Sequence, residues 1–139
     1  MQRAYQTIDG YLVNEDCVSM FRTFRDGMYH CIKIITNFEH ADDFIIFKGT
    51  KEEVNDIMAR LALKNSFEEW LTLKDGSLLR IDHIKSTHIY NANGLFNIDM
   101  CLCDNQSVTI FSGTEQGMEE AIEELKNSCY AIIYNLKKI

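Results

Sequence analysis

The sequence predicts an α+β fold: two tandem repeats of antiparallel strands, each closed by an α-helix, packed as one globule. Three observations carry this reading. A block opening on Asp9-Gly10 recurs around Asp75-Gly76. A second block, Ile46-Phe47-Lys48-Gly49-Thr50, recurs as Ile110-Phe111-Ser112-Gly113-Thr114. Each second block runs into a stretch whose apolar residues fall at helical spacing.

The matches come in the same order. Asp9, Gly10, Leu12 and Asp16 are repeated as Asp75, Gly76, Leu78 and Asp82. Val54, Met58 and Leu61 are answered by Met118, Ile122 and Leu125, and Lys64-Asn65-Ser66 by Lys126-Asn127-Ser128. A tandem duplication is expected, with units at 1–66 and 67–139. About 65 residues make only a marginal core, so the two units should share one globule.

Each unit opens with a short strand, at 4–8 or 69–73. Asp9-Gly10 and Asp75-Gly76 then read as two-residue turns, because Gly accepts positive φ. A return strand follows, with apolar Leu79, Ile81 and Ile84 in the second unit. A longer pair comes next, Phe21–Phe24 with Tyr29–Ile35, turning at Arg25-Asp26-Gly27. Its counterpart is Thr87–Tyr90 with Leu95–Cys103, turning at Asn91-Ala92-Asn93-Gly94. A last strand, Phe44–Lys48 or Ser107–Phe111, leads into the helix. Thr50 and Glu53 form a capping-box pattern, and Val54, Ile57, Met58 and Leu61 share one helical face. Ser112 with Glu115, or Thr114 alone, can cap the second helix. From Met118 to Leu136 the apolar spacing is that of a heptad, which favours one helix from about 114 to 137. Tyr130–Tyr134 is also strand-like, so residues 129–136 stay open between helix and strand. A long helix offers a seam for a homodimer.

The stretch Leu73-Lys74-Asp75-Gly76-Ser77-Leu78-Leu79-Arg80-Ile81-Asp82-His83-Ile84 resembles the opening of small bacterial β-rich modules of the flagellar FlbD type. The passage of Ile110–Thr114 into a helix is similar to the closing strand and helix of bacterial pleckstrin-homology-like domains. The strand–strand–helix rhythm is similar to the LytTR DNA-binding domain. The resemblance implies a binding module and supplies no catalytic residue. The acidic charge departs from the LytTR pattern and counts against DNA readout.

Composition sets the class. The chain is 46% hydrophobic and 11% aromatic, ample for a core, which excludes wholesale disorder. It has no proline, so its turns must be punctuated by Asp-Gly and Asn-Gly pairs. No run approaches the roughly 18 apolar residues of a membrane span. Residues Met1–Tyr5 show no apolar signal core. The five cysteines (Cys17, Cys31, Cys101, Cys103, Cys129) form no C-x-x-C pair, and reduced thiols in a cytoplasmic setting are expected. A net charge of −7 repels phosphate backbones and disfavours direct nucleic-acid binding.

No phosphate loop, dinucleotide fingerprint, His-Glu-x-x-His or Gly-x-Ser-x-Gly is present, so no enzyme is expected. No metal and no cofactor are expected either. Cys101 and Cys103 share a strand face, but with His30, Cys31, His83 or His88 they match no common zinc spacing. His30 and Cys31 are neighbours on a strand and point apart. The stretch Phe21–His30 concentrates two arginines, a histidine and three aromatics in an acidic chain. Arg22, Phe24, Arg25 and His30 are therefore candidate contact residues, with Arg22 and Phe24 on one face. His88, Tyr90, Asn91 and Asn93 hold the matching region of the second unit. Glu52, Glu53 and Asp56, and Glu119, Glu120, Glu123 and Glu124, line the polar faces of the helices.

The expected function is non-enzymatic binding: a small cytoplasmic regulatory or adaptor protein acting on a protein partner. Two other readings follow from the same residues. One is a protein that sequesters a small anionic or nucleotide-like ligand near Arg22 and Arg25. The other is an acidic, phage-type inhibitor of a nucleic-acid-binding complex.

Overall fold

The structure, a computed structural model, describes residues 3–37, 44–65, 70–103 and 106–127. The first half runs β1 (Ala4–Gln6), β2 (Leu12–Asn14), a 3₁₀ turn (Glu15–Cys17), β3 (Val18–Asp26), β4 (Tyr29–Thr36), β5 (Phe44–Gly49) and α1 (Lys51–Lys64). The second half runs β6 (Trp70–Thr72), β7 (Leu78–Arg80), a 3₁₀ turn (Ile81–His83), β8 (Ser86–Ala92), β9 (Leu95–Cys103), β10 (Gln106–Gly113) and α2 (Glu115–Asn127). The order of elements is the same in both halves. Among the described residues all strand pairings are antiparallel, and the fold is α+β, as predicted. Among the described residues no helix is long and apolar enough to cross a membrane.

The turns at Asp-Gly differ from expectation. Each is a three-residue loop, closed by Thr7 N–H to the Tyr11 carbonyl and by Leu73 N–H to the Ser77 carbonyl, both at 2.8 Å. A two-residue type I′ turn needs positive φ at both positions, and here only Gly10 (96°) and Gly76 (88°) take it. Asp9 and Asp75 are instead tied down by their own side chains. Asp9 Oδ1 accepts from the Thr7 hydroxyl, and Asp75 Oδ1 accepts from Ser77 N–H.

The Ile-Phe-x-Gly-Thr block has a packing cause. A Cβ on Gly49 would lie 2.6 Å from the Phe47 ring, and one on Gly113 would lie 2.9 Å from the Phe111 ring. The phenylalanine two residues upstream folds back over the glycine, so a larger residue there would have to displace the ring. The helix then starts on the threonine. Thr50 and Glu53 form both bonds of a capping box, at 3.0 and 3.1 Å. Thr114, rather than Ser112, caps α2 by accepting from Gly117 N–H. The expected continuation of this helix to about 137, its seam through Cys129, Ile132 and Leu136, and a homodimer through that seam lie outside the described residues.

Strand order explains how the halves meet. One sheet is β5-β4-β3-β7-β6, a second is β10-β9-β8, and β1-β2 stands as a hairpin. The β6–β7 hairpin belongs to the second half in sequence, yet it completes the sheet of the first. Among the described residues, β3–β7 is the one strand pairing that joins the halves, with Met20 opposite Leu79 and Phe21 opposite Leu78. Successive strand residues face opposite ways. Phe21 and Leu78 therefore enter one core, with Ile32 and Ile34 of the sheet and Val54, Met58 and Leu61 of α1. Met20 and Leu79 enter the other, with Ile98, Met100, Val108 and the α2 residues Met118, Ile122 and Leu125.

Polar contacts reinforce the joint. Arg80 Nη2 donates to the Glu15 carbonyl at 2.9 Å, and its guanidinium lies 4.8 Å from the Trp70 ring centre. Trp70 stacks on Phe21 at 5.6 Å. Ser19 Oγ and His83 Nδ1 are 2.8 Å apart, and Thr23 N–H donates to Ser77 Oγ.

Leu79→Ala should therefore cost about 2–5 kcal/mol in urea denaturation, since Leu79 is fully buried at the joint. Leu63→Ala, at a side chain 75% exposed on α1, should stay within about 0.5 kcal/mol of the parent. Equal effects from the two would contradict the burial assignment.

Candidate functional site

The β3–β4 hairpin carries the residues singled out in the sequence. Its two-residue loop is Gly27-Met28, since Asp26 pairs with Tyr29. From that loop the register runs unbroken: Arg25 opposite His30, Phe24 opposite Cys31, Arg22 opposite Lys33. On the neighbouring strand Cys31 is opposite Lys48. Cross-strand partners share a face. One face thus holds Arg22, Phe24, Asp26, Tyr29, Cys31, Lys33 and Lys48. It is the same face as Met20, which lies nearer the start of β3 and is covered by the second half.

Beyond that cover the face opens. Asp26, Tyr29 and Lys48 are exposed, and Arg22, Phe24 and Lys33 are half-buried. The cations lie on rings. Lys33 Nζ is 5.2 Å from the centre of Phe24, and Lys48 Nζ is 5.9 Å from the centre of Tyr29. Lys48 also meets Asp26 at 3.1 Å, and the hydrogen bond and charge of Asp26 raise its pKa. Cys31 is fully buried beneath this layer. Met28, at the tip, is 82% exposed.

Arg25 and His30 do not belong to this group. They pair with each other on the opposite face, the side of α1, and Arg25 Nε donates to the Gly27 carbonyl at 3.0 Å. A single anion site combining Arg22 with Arg25 is therefore corrected: strand alternation sends the two side chains to different faces.

His88, Tyr90, Asn91 and Asn93 lie on the other sheet and its turn. His88 and Tyr90 stack at 4.7 Å on the outer face of β8, away from Ile89. Asp99 of β9 is directly opposite His88, and Thr109 Oγ1 donates to Asp99 Oδ1 at 2.7 Å. A hydrogen bond to Asp99 raises the Tyr90 pKa, with desolvation second. Asn91 alternates to the other face. Asn93 takes φ 55° beside Gly94 at 80°, the two positive values a type I′ turn needs. The eight sequence candidates thus divide between two sheets and, within each sheet, between faces.

A cleft of about 100 Å³ lies between β6, β10 and α2, lined by Leu71, Leu73, Phe111, Ala121, Glu124 and Leu125 among others. None of the eight candidates lines it. Small-molecule pockets usually take roughly 300–1,000 Å³. Among the described residues no group of three His, Cys, Asp or Glu side chains is arranged to hold a metal ion. The side chain of Cys103 lies outside the described residues.

Sequence reasoning missed Lys33, Lys48, Asp99 and Thr109. Lys33 was reachable, because the Gly27-Met28 loop fixes Lys33 opposite Arg22. Lys48 was not, because its place depends on the pairing of β5 with β4, which no local signal sets.

Asp99→Asn should bring the ionisation of Tyr90 down toward the ordinary value near 10, read by ultraviolet difference titration. The raised value means the folded state holds the phenol proton longer than the unfolded chain does. Its contribution to stability is complete below about pH 10 and is lost as pH rises through the folded-state value. An unchanged titration in Asp99→Asn would show that Asp99 is not the cause.

No protein-family model matches this chain, and neither a comparison with curated proteins nor one with solved structures finds a match.

Proposed function

We propose that this is a non-enzymatic binding protein, regulatory or adaptor in kind, whose protein contact surface is the open face of β3, β4 and β5. The observation that supports it is the layering of Lys33 on Phe24 and Lys48 on Tyr29 beside Arg22. Arg and aromatic side chains dominate the energetics of protein interfaces. The rings offer apolar area at low entropic cost, and Met28 and Tyr29 extend that area around the hairpin tip. A chain of net charge −7 that gathers three cations against one carboxylate, Asp26, on one sheet face is fitted to a partner acidic at that spot. The resemblance to small β-rich binding modules points the same way. The reading includes a tandem duplication, supported by the two matched blocks and the repeated order of elements.

The test is quantitative affinity capture from the native extract with the parent chain and with Lys33→Glu/Lys48→Glu. A partner bound by the parent should fall at least tenfold with the double variant and with rising salt. It should be kept by Lys51→Glu, which reverses a charge at the start of α1, where Glu suits the helix dipole. Circular dichroism confirms that each variant is folded. Equal capture by all three chains would sink the assignment of this face. A nucleotide panel that raises the melting temperature of the parent and not of the double variant would move the reading to a small anionic ligand.

A further inference from the structure

We infer that Asp26 is an internal competitor on the β3–β5 face: in the free chain it holds Lys48, and a carboxylate of the acidic partner must take its place. The inference rests on the contact reading of that face and names a residue that sets its selectivity.

The geometry joins three strands. Asp26 ends β3, Tyr29 begins β4, and the two are cross-strand partners. Lys48 stands on β5, opposite Cys31. Its side chain spans β4 to reach Asp26: Nζ lies 5.9 Å from the centre of the Tyr29 ring and 3.1 Å from Asp26 Oδ2. The bond is made in the free chain, where the hydrogen bond to Asp26, and then its charge, raises the Lys48 pKa. Lys48 is therefore placed for a carboxylate and already has one.

The turn does not account for Asp26. The chain has three Asp-Gly pairs. In two of them the carboxylate is used locally, by Asp9 on the Thr7 hydroxyl and by Asp75 on Ser77 N–H. Asp26 sends its own across the sheet. A gain in stability does not account for it either. The Lys48 and Asp26 side chains are 38% and 59% exposed. A pair so open to water is weak, because solvent screens it and both side chains lose freedom in making it. Weakness suits exchange. An incoming carboxylate displaces Asp26 without disturbing any buried group.

The exchange discriminates between acids. An isolated anion that reaches Lys48 replaces one carboxylate by another and meets the displaced charge of Asp26 close by, and like charges side by side are unfavourable. A partner that also covers Phe24 and Tyr29 and meets Arg22 gains the rest of the face, where Arg and aromatic contacts carry most of the energy. Asp26 thus lowers the affinity for every acid, and a partner with those further contacts overcomes it.

The test is a titration of the isotope-labelled full chain, followed by amide chemical shifts, with a short blocked peptide of Glu-Glu-Leu repeats. In the parent the shifts should fall on residues 22–33 and 45–48, and Lys33→Glu/Lys48→Glu should abolish them. Asp26→Asn and Asp26→Ser, two small changes at an exposed position, should tighten binding by about two- to fivefold, the range of one exposed ion pair. Asp82→Asn makes the same change of net charge at an exposed site, on the 3₁₀ turn whose His83 contacts Ser19 at the other end of β3, and should leave binding as it is. A peptide that shifts none of these amides, or binds the Lys33→Glu/Lys48→Glu chain as well as the parent, overturns the contact reading and the inference with it. Binding at the face that both Asp26 variants leave unchanged or weaken, or that Asp82→Asn tightens as much, overturns the inference and leaves the contact reading standing.

Discussion

The pairing of β3 with β7 is the constraint on which the rest of this structure depends. Four residues make it: Met20 and Phe21 on one strand, Leu79 and Leu78 on the other. All four are buried. Burying each large apolar side chain is worth about 1.5–3 kcal/mol, so the joint is energetically comparable to the net stability of a small domain. Its geometry matters as much. Adjacent residues serve opposite faces, so the same two strands line both cores. Neither core is complete without a residue from the other half: Leu78 closes the first, Met20 the second.

The same pairing sets what the surface presents. By fixing β3, it covers the Met20 end of one sheet face and leaves the hairpin end open, where Arg22, Phe24, Tyr29, Lys33 and Lys48 gather. It also uses the hairpin of the second half on the first half's sheet.

Much of the fold was legible because its signals are local. Turn residues at Gly27 and at Asn93-Gly94 marked the β3–β4 and β8–β9 pairs. The Thr50–Glu53 pair marked the start of α1, and spacing gave its buried face, Val54, Met58 and Leu61. The turns at Asp9-Gly10 and Asp75-Gly76 were located but typed wrongly. Sequence shows that a glycine is there, not whether the residue before it leaves ordinary φ. The turn expected at Arg25-Asp26-Gly27 falls at Gly27-Met28, because Arg25 and Asp26 stay paired in β3. The return strand expected through Ile81 and Ile84 ends at Arg80, where Ile81–His83 forms a 3₁₀ turn. The joint itself was not legible. Leu78 and Leu79 read as any short apolar strand, and pairing with a strand more than fifty residues away carries no local mark. The candidate site suffered for a related reason. Arg22 and Phe24 share a face by simple alternation, but recognising that Arg25 leaves it, and that Lys48 joins it, requires the register of three strands.

The central claim is that two halves of similar order are one cooperative body, held by β3 and β7. Native-state hydrogen exchange under increasing denaturant tests it directly. Ile32 lies in the first core and Ile98 in the second, both fully buried. The account predicts that their amides exchange only through global unfolding, with the same free energy and the same dependence on denaturant. Exchange of either one through a separate, lower-energy opening that leaves the other protected would contradict it.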